Sequence, residues 1–292
     1  MTYFFKSIAT FSFWKYALFS GEAIAKLLAV IGSLYLLIEI VDFFGIYTRT
    51  QYSHYAIVPI LIFALAYVVF TRRPVSKVCY KVRNKDYVFE VKIADLFEQA
   101  GDIVISTNTT FDTDIASGLI SAESLQGQLV QKLFQGQTTE VDRQLDAGLA
   151  SYPYVQRDDA PGKKREYPIG TTVKVAIPGR IFYFVAMSRL NEFGTAHSSV
   201  RDVEDALDGL WKFVAEQGEL HTLVMPLMGT GRGRVELPRK KMIERITQSF
   251  ADASKERLFS NRLVVVVRSK DAENFGVNLF EVRDYLLRSL HV

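Results

Sequence analysis

The chain has 292 residues, and 35 Lys and Arg against 32 Asp and Glu leave a formal net charge of +3, too close to neutral for a general nucleic-acid binder. Its length allows one sizeable domain and something smaller. The single cysteine, Cys79, excludes an intramolecular disulfide and fits a reducing compartment.

Cys79 reads as a small buried residue of a strand, and the four histidines lack ligand spacing, so no metal site is expected. The N-terminal quarter is far more apolar than the remainder. The stretch from Tyr16 to Tyr47 is interrupted by Glu22, Lys26, Glu39 and Asp42 and is cleanest from Leu27 to Ile38. Lys26 can snorkel and pair with Glu22 one helical turn away. From Tyr55 to Phe70 no residue is charged, close to the ~20 apolar residues a spanning helix needs. A signal peptide does not fit, because the apolar region is too long and no small-residue cleavage site follows. A buried helical hairpin of a soluble protein is the alternative to a pair of membrane-spanning helices.

The expected organisation is a transmembrane hairpin over 1–73, with spans of about 16–44 and 54–71, and a second domain over 74–292. Arg72, Arg73, Lys77, Lys81, Arg83 and Lys85 crowd behind the second span, and Lys6 and Lys15 precede the first. By the positive-inside rule both termini and the second domain are cytoplasmic, which makes a multi-pass protein. Trp14, Tyr16, Tyr47 and Tyr52 suit the membrane interface. Glu22, Glu39 and Asp42 are costly beside lipid and point to water, headgroups or sister helices, hence to a homo-oligomer.

Beyond Pro74, Val75–Arg83 and Tyr87–Ile93 read as strands joined by a turn at Asn84-Lys85-Asp86. A short helical turn, Asp95–Ala100, leads to a strand over Asp102–Asn108 that is apolar enough to be buried on both faces. That strand runs out into the polar loop containing Phe111, Asp112 and Asp114. Open α/β sheets bind ligands at such carboxyl ends. Ser121 or Ser124 starts a helix carrying Leu125, Leu129, Leu133 and Phe134, and a second helix runs from Glu140 to Leu149. Tyr152–Gly170 is a loop whose charged run Lys163–Glu166 reads as solvated surface. Val173–Ile177 and Ile181–Met187 are strands around Pro178-Gly179. Ser199-x-x-Asp202 resembles a helix cap, followed by the stripe Val200, Val203, Leu207, Leu210 and Val214. After a strand over Leu223–Met228 come helices from Pro238 and over Asn278–Leu290, with the strand Leu263–Val267 between them. Strands alternating with helices mean an α/β sandwich with a mixed, largely parallel centre.

The strand Leu223–Met228 enters a loop with glycine at 229, 231 and 233 and arginine at 232 and 234. Successive glycine amides make an anion-binding concavity, and the arginines add fixed charge, as a diphosphate needs. An ordinary tight turn is the alternative.

At these residues the chain resembles a macro domain, the α/β fold that binds ADP-ribose, from about Asp86 onward. Lys92-Ile-Ala-Asp95 resembles the segment whose aspartate holds the adenine amino group. Ile103–Asn108 resembles the strand whose asparagine contacts the distal ribose. Tyr167-Pro-Ile-Gly-Thr171 and Pro226-Leu-Met-Gly-Thr-Gly-Arg-Gly233 match the pattern before a central strand and the diphosphate loop. The resemblance therefore implies Asp95, Asn108, Phe111, Asp112, Asp114, Gly229, Thr230, Gly231, Arg232, Gly233 and Arg234 as ligand-binding residues. Asp95 as a helix cap, Asn108 as a brace of its own turn and Arg234 as plain surface charge are the competing readings. The glycine run that follows the asparagine in hydrolytic macro domains is missing at Phe111–Gly118, so no catalytic residue is assigned.

With the apolar helices in front, the whole resembles the membrane-anchored macro-domain effectors of bacterial Thoeris anti-phage systems. That resemblance implies a bacterial inner-membrane protein whose ligand is ADP-ribose or a conjugated derivative. A TIR-domain partner would make the signal, and self-assembly of the helices would damage the membrane. It implies no cofactor and no nucleic-acid partner. A membrane-tethered ADP-ribosyl hydrolase and a passive ADP-ribose adaptor are the rival readings.

Overall fold

The computed structural model describes residues 8, 11–46, 53–73, 75–158, 161–229 and 235–289. Helix α1 (Phe11–Phe19) stops at Ser20, whose hydroxyl accepts from the Ala23 amide and caps α2 (Gly21–Phe43). The first apolar stretch is therefore two helices rather than one, because serine satisfies an orphan amide better as a cap than inside a helix. The 23 residues of α2 make it long and apolar enough to cross a membrane, and none of its most apolar window is buried. Helix α3 (Ser53–Thr71) packs against α2, and its apolar part, Tyr55–Thr71, is shorter. Ala17, Ala23, Ala64 and Val68 are the buried apolar residues of these helices alongside Phe13, while Leu36, Ile57, Ile62 and Phe63 stay bare. The expected Glu22–Lys26 pair does not form. Lys26 turns instead over the Tyr67 ring, its Nζ 5.8 Å from the centroid. Lys6, Tyr47, Tyr52 and the side chain of Tyr16 lie outside the described residues.

The head is built on a sheet whose spatial order is β1-β2-β10-β9-β3-β7-β6, with β8 (Ala196–His197) on the end of β7. Strands β2 (Val88–Ile93), β10 (Arg262–Val267), β9 (Leu223–Pro226), β3 (Asp102–Asn108) and β7 (Arg180–Leu190) run parallel. Only β1 (Lys77–Lys81), β6 (Thr172–Ile177) and β8 are antiparallel to their neighbours. The inner strands are nearly continuous in apolar residues because helices cover both faces. On one face Val104, Tyr183, Val185, Met225 and Val265 pack under α6 (Val200–Gln217), α7 (Arg239–Glu256) and α9 (Leu279–Ser289). On the other, Ile103, Ile105, Phe184, Val224 and Val266 meet Leu129, Val141 and Leu145 of α4 (Leu125–Phe134) and α5 (Thr139–Leu149).

Helix α6 carries the expected cap in full: Ser199 accepts from the Asp202 amide, and Asp202 accepts from that of Ser199. Its Gly209 lies so close to Gly170 that an added Cβ would sit 2.3 Å from the Gly170 carbonyl oxygen. Cys79 departs from expectation. It is exposed, because β1 is an edge strand with a single covered face, filled by Val78 and Tyr80. The Tyr152–Gly170 loop is also less solvated than its charges suggest. It contains a small hairpin, β4 (Val155–Gln156) with β5 (Arg165–Glu166), pinned by Arg157–Glu166 at 3.2 Å and Lys163–Asp142 at 2.7 Å. Beyond β10 a short helix, α8 (Ser269–Asn274), precedes α9.

Candidate functional site

Parallel strands that end together leave their last residues at one edge, and there the head has a cavity of about 550 Å³. Val266 (β10), Pro226 (β9), Thr107 and Asn108 (β3), and Met187 and Ser188 (β7) form its floor. Its walls are the segment Gly118–Gln126, the turn at Phe193–Thr195, Gly229, and Arg268 and Asp271 after β10.

Asn108 lines the cavity and braces its own turn. Its side-chain oxygen accepts from the Thr110 amide at 3.2 Å and the Asp112 amide at 3.1 Å, with the Thr110 hydroxyl 3.0 Å away. These bonds hold Phe111 in the left-handed region, at φ 50°, and bury its ring edge-on to Tyr167. Gln126, on the wall, is fixed from behind by a 2.8 Å bond from the Thr107 hydroxyl and by its own donation to the Asp112 carbonyl. Gly229 has φ 70°, and a Cβ there would lie 2.7 Å from Val235 Cγ2 and 3.1 Å from Val203 Cγ2, so only glycine fits. The Val235 amide donates to the Gly229 carbonyl at 3.0 Å.

Of the residues singled out in the sequence, Asn108 and Gly229 line the cavity, and Asp95, Phe111, Asp112 and Asp114 do not. Thr230, Gly231, Arg232, Gly233 and Arg234 lie outside the described residues. Asp95 follows β2 on the same sheet edge and caps the single turn Leu96–Glu98, accepting from the Phe97 amide at 2.9 Å. Its other oxygen is 2.9 Å from Lys132 Nζ. Partial burial alone would raise its pKa, but the bonds from Lys132 and Phe97, with Arg268 nearby, bring it below the ordinary aspartate value. Asp112 is buried behind the cavity. Its carboxylate accepts from the Thr110 hydroxyl at 2.5 Å and from the Lys163 amide at 2.7 Å, which ties the β4–β5 hairpin to the Asn108 turn. Burial pushes its pKa up, against both hydrogen bonds. Asp114 is exposed and accepts from the Ser117 amide at 3.1 Å, the main reason its pKa is lowered. Neither carboxylate lines the cavity.

Arg268 and Asp271 escaped the sequence reading. Arg268 is the one cation on the described lining, exposed at the carboxyl end of β10. The same edge rule that drew attention to Asn108 applies to the residue after Val267. The turn Asn191–Thr195, held by the Asn191 side chain accepting from the Phe193 and Thr195 amides at 3.0 and 2.8 Å, carried no periodicity that would announce it. Among the described residues no group of His, Cys, Asp and Glu is arranged to hold a metal ion.

The family model described as Thoeris protein ThsA, macro domain, matches residues 89–268, more than half of the chain. The chain belongs to this family. The match runs from β2 to Arg268, so all strands of the parallel core and most of the cavity fall inside the ThsA macro domain. A curated relative, the Thoeris protein ThsA of Bacillus amyloliquefaciens (strain Y2), is 24% identical over 147 residues, covering 49% of this chain and 48% of that protein. The chain therefore aligns with about half the length of that relative. Among solved structures, an Oceanobacillus iheyensis macrodomain with ADP is 12% identical, covers 72% of this chain and 97% of its own, and superposes with a TM-score of 0.42. The same macrodomain with MES bound gives 11%, 72%, 98% and 0.41.

Proposed function

We propose that the chain is a membrane effector of anti-phage defence whose macro domain senses an ADP-ribose-containing signal nucleotide. The observation that carries this is membership of the ThsA macro-domain family, together with a cavity at the sheet's carboxyl edge where Asn108, Gly229 and Arg268 converge. In this reading the diphosphate takes its donors from the backbone of the 229–233 loop and a counter-charge from Arg268. Asn108 supplies a side-chain amide for the ribose, and Asp95 an acceptor for the adenine amine. Thr230, Gly231, Arg232, Gly233 and Arg234 keep the roles proposed from the sequence. A TIR-domain partner makes the signal, and the two apolar helices sit in the inner membrane with both termini and the head in the cytoplasm.

Binding drives response only through a difference in affinity between two states. The favoured state here is one in which helices of several copies associate, exposing Glu39 and Asp42 to water rather than lipid and making the bilayer leak. A hydrolase role has less support, because Asp112 is engaged by Thr110 and Lys163 and Asp114 by Ser117, all away from the cavity. The full chain in dye-loaded liposomes tests the effector reading. Leakage should rise on addition of the ADP-ribose conjugate made by a TIR protein and should not rise in Gly231→Glu. Dye retained at a saturating, binding concentration removes the membrane-disruption part.

A further inference from the structure

The apolar helices and the head meet in a small cluster of charges. Arg72, just past α3, is buried. Its Nη1 donates to the Ser20 hydroxyl at 3.1 Å, and its Nη2 is 3.5 Å from Asp284 Oδ2 on α9. Arg283 reaches the other oxygen of that carboxylate at 3.4 Å. Both guanidiniums stand over the Phe280 ring, their carbons 5.6 and 5.0 Å from its centroid. Lys26 enters from α2, its Nζ over the ring of Tyr67, five residues before Arg72.

Among the described residues, Arg72 and Arg283 thus share the Asp284 carboxylate where the end of α3 meets α9, Lys26 adds a third cation from α2, and Glu22 does not pair with Lys26. Asp284 holds Arg72 in place, but one negative charge does not balance three positive ones, and like charges gathered in partial burial repel. Arg283 has its Nε buried without a partner among the described residues, while 37% of its side chain remains exposed. An anion placed against the exposed part of the Arg283 side chain and against Lys26 would supply the missing charge.

The height of the cluster decides which anion. Ser20 opens α2 and Arg72 closes α3, so the cluster marks one end of the apolar helix pair. Lys26 lies about 9 Å along α2 from Ser20 at 1.5 Å per residue, a depth from which a lysine snorkels to the headgroup layer. Basic pockets between helices at that level are where acidic headgroups bind. We propose that Lys26 and Arg283, with the buried Arg72 adding its charge from behind, form a binding site for the phosphate of an anionic phospholipid headgroup. The site ties the orientation of α9, and with it the head, to the lipid surface. It rests on the reading that α2 and α3 lie in a membrane.

The test uses the full chain in nanodiscs of phosphatidylcholine doped with phosphatidylglycerol, with retained lipids counted by native mass spectrometry. Phosphatidylglycerol should be retained in preference to phosphatidylcholine. Arg283→Gln and Lys26→Gln, both at partly exposed positions, should each weaken that preference about fivefold, and the distant Lys85→Gln should not. Equal retention of the two lipids, or no change in either variant, overturns the site while leaving the membrane reading intact. Displacement of phosphatidylglycerol by inorganic phosphate at comparable concentration overturns the lipid assignment in favour of a free-anion site. A chain that does not enter the nanodiscs at all overturns the membrane reading, and the site with it.

Discussion

Asp112 gives the sharpest test of how the cavity wall is built. Its carboxylate joins two segments far apart in sequence, the Thr110 hydroxyl at 2.5 Å and the Lys163 amide at 2.7 Å. Asp112→Ala removes both bonds; the Thr110 hydroxyl can turn to Asn108, but the Lys163 amide is left without an acceptor. Hydrogen bonds to a charged group contribute about 1.5–3 kcal/mol each, so at the lower end the loss is about 3 kcal/mol, or roughly a hundredfold in local opening. Asp112→Asn keeps the geometry. The amide oxygen accepts from Lys163, the amide nitrogen donates to the Thr110 hydroxyl, and that hydroxyl turns its proton to Asn108. Hydrogen exchange at the Lys163 amide of the full chain reports the difference: about a hundredfold faster in Asp112→Ala and close to wild type in Asp112→Asn. The two variants also separate in pH dependence. Burial raises the pKa of Asp112 in the folded state, so the native form holds its proton more tightly than the unfolded chain does. Its contribution is fully present below the unfolded pKa and is lost as pH rises through the raised folded value. Asp112→Asn should remove that acid-range slope. If Asp112→Asn exchanges as fast as Asp112→Ala, the carboxylate is not acting as an anchor and the reasoning fails.

Two other substitutions probe the joints of the structure. Asp284→Ala strands Arg72 inside the junction, and breaking a buried pair from one side costs about 3–5 kcal/mol; thermal unfolding in detergent should show a clearly lower midpoint, with Arg72→Met/Asp284→Leu recovering most of it. Gly209→Ala drives a methyl against the Gly170 carbonyl, 2.3 Å away, and overpacking of this kind costs about 1–3 kcal/mol. An unchanged denaturant midpoint for Gly209→Ala would show that α6 and the Gly170 turn separate freely.

The sequence made the sheet legible because its signals are local. Asp102–Asn108 and Leu263–Val267 are apolar on both faces, and Ser199 with Asp202 spells out a cap. The edge rule then put Asn108 and Gly229 at the cavity. What could not be read was the direction of loop side chains. Asp112 stands four residues from Asn108, yet the left-handed Phe111 turns it inward to Lys163, which is 51 residues away along the chain. The Phe193–Thr195 turn reaches the cavity only through strand order, which no short stretch encodes. The break at Ser20 is hard to read because the apolar stretch resumes within three residues, so the cap stands inside a run that otherwise looks continuous.

The central claim is that the cavity at the sheet edge binds an ADP-ribose-type nucleotide. Calorimetric titration of the full chain in detergent with ADP-ribose addresses it directly. The account predicts saturable binding with one nucleotide per chain, abolished in Gly231→Glu, weakened in Arg268→Glu, and unchanged in Lys85→Gln. No binding by the wild-type chain, or binding that survives both Gly231→Glu and Arg268→Glu, would contradict it.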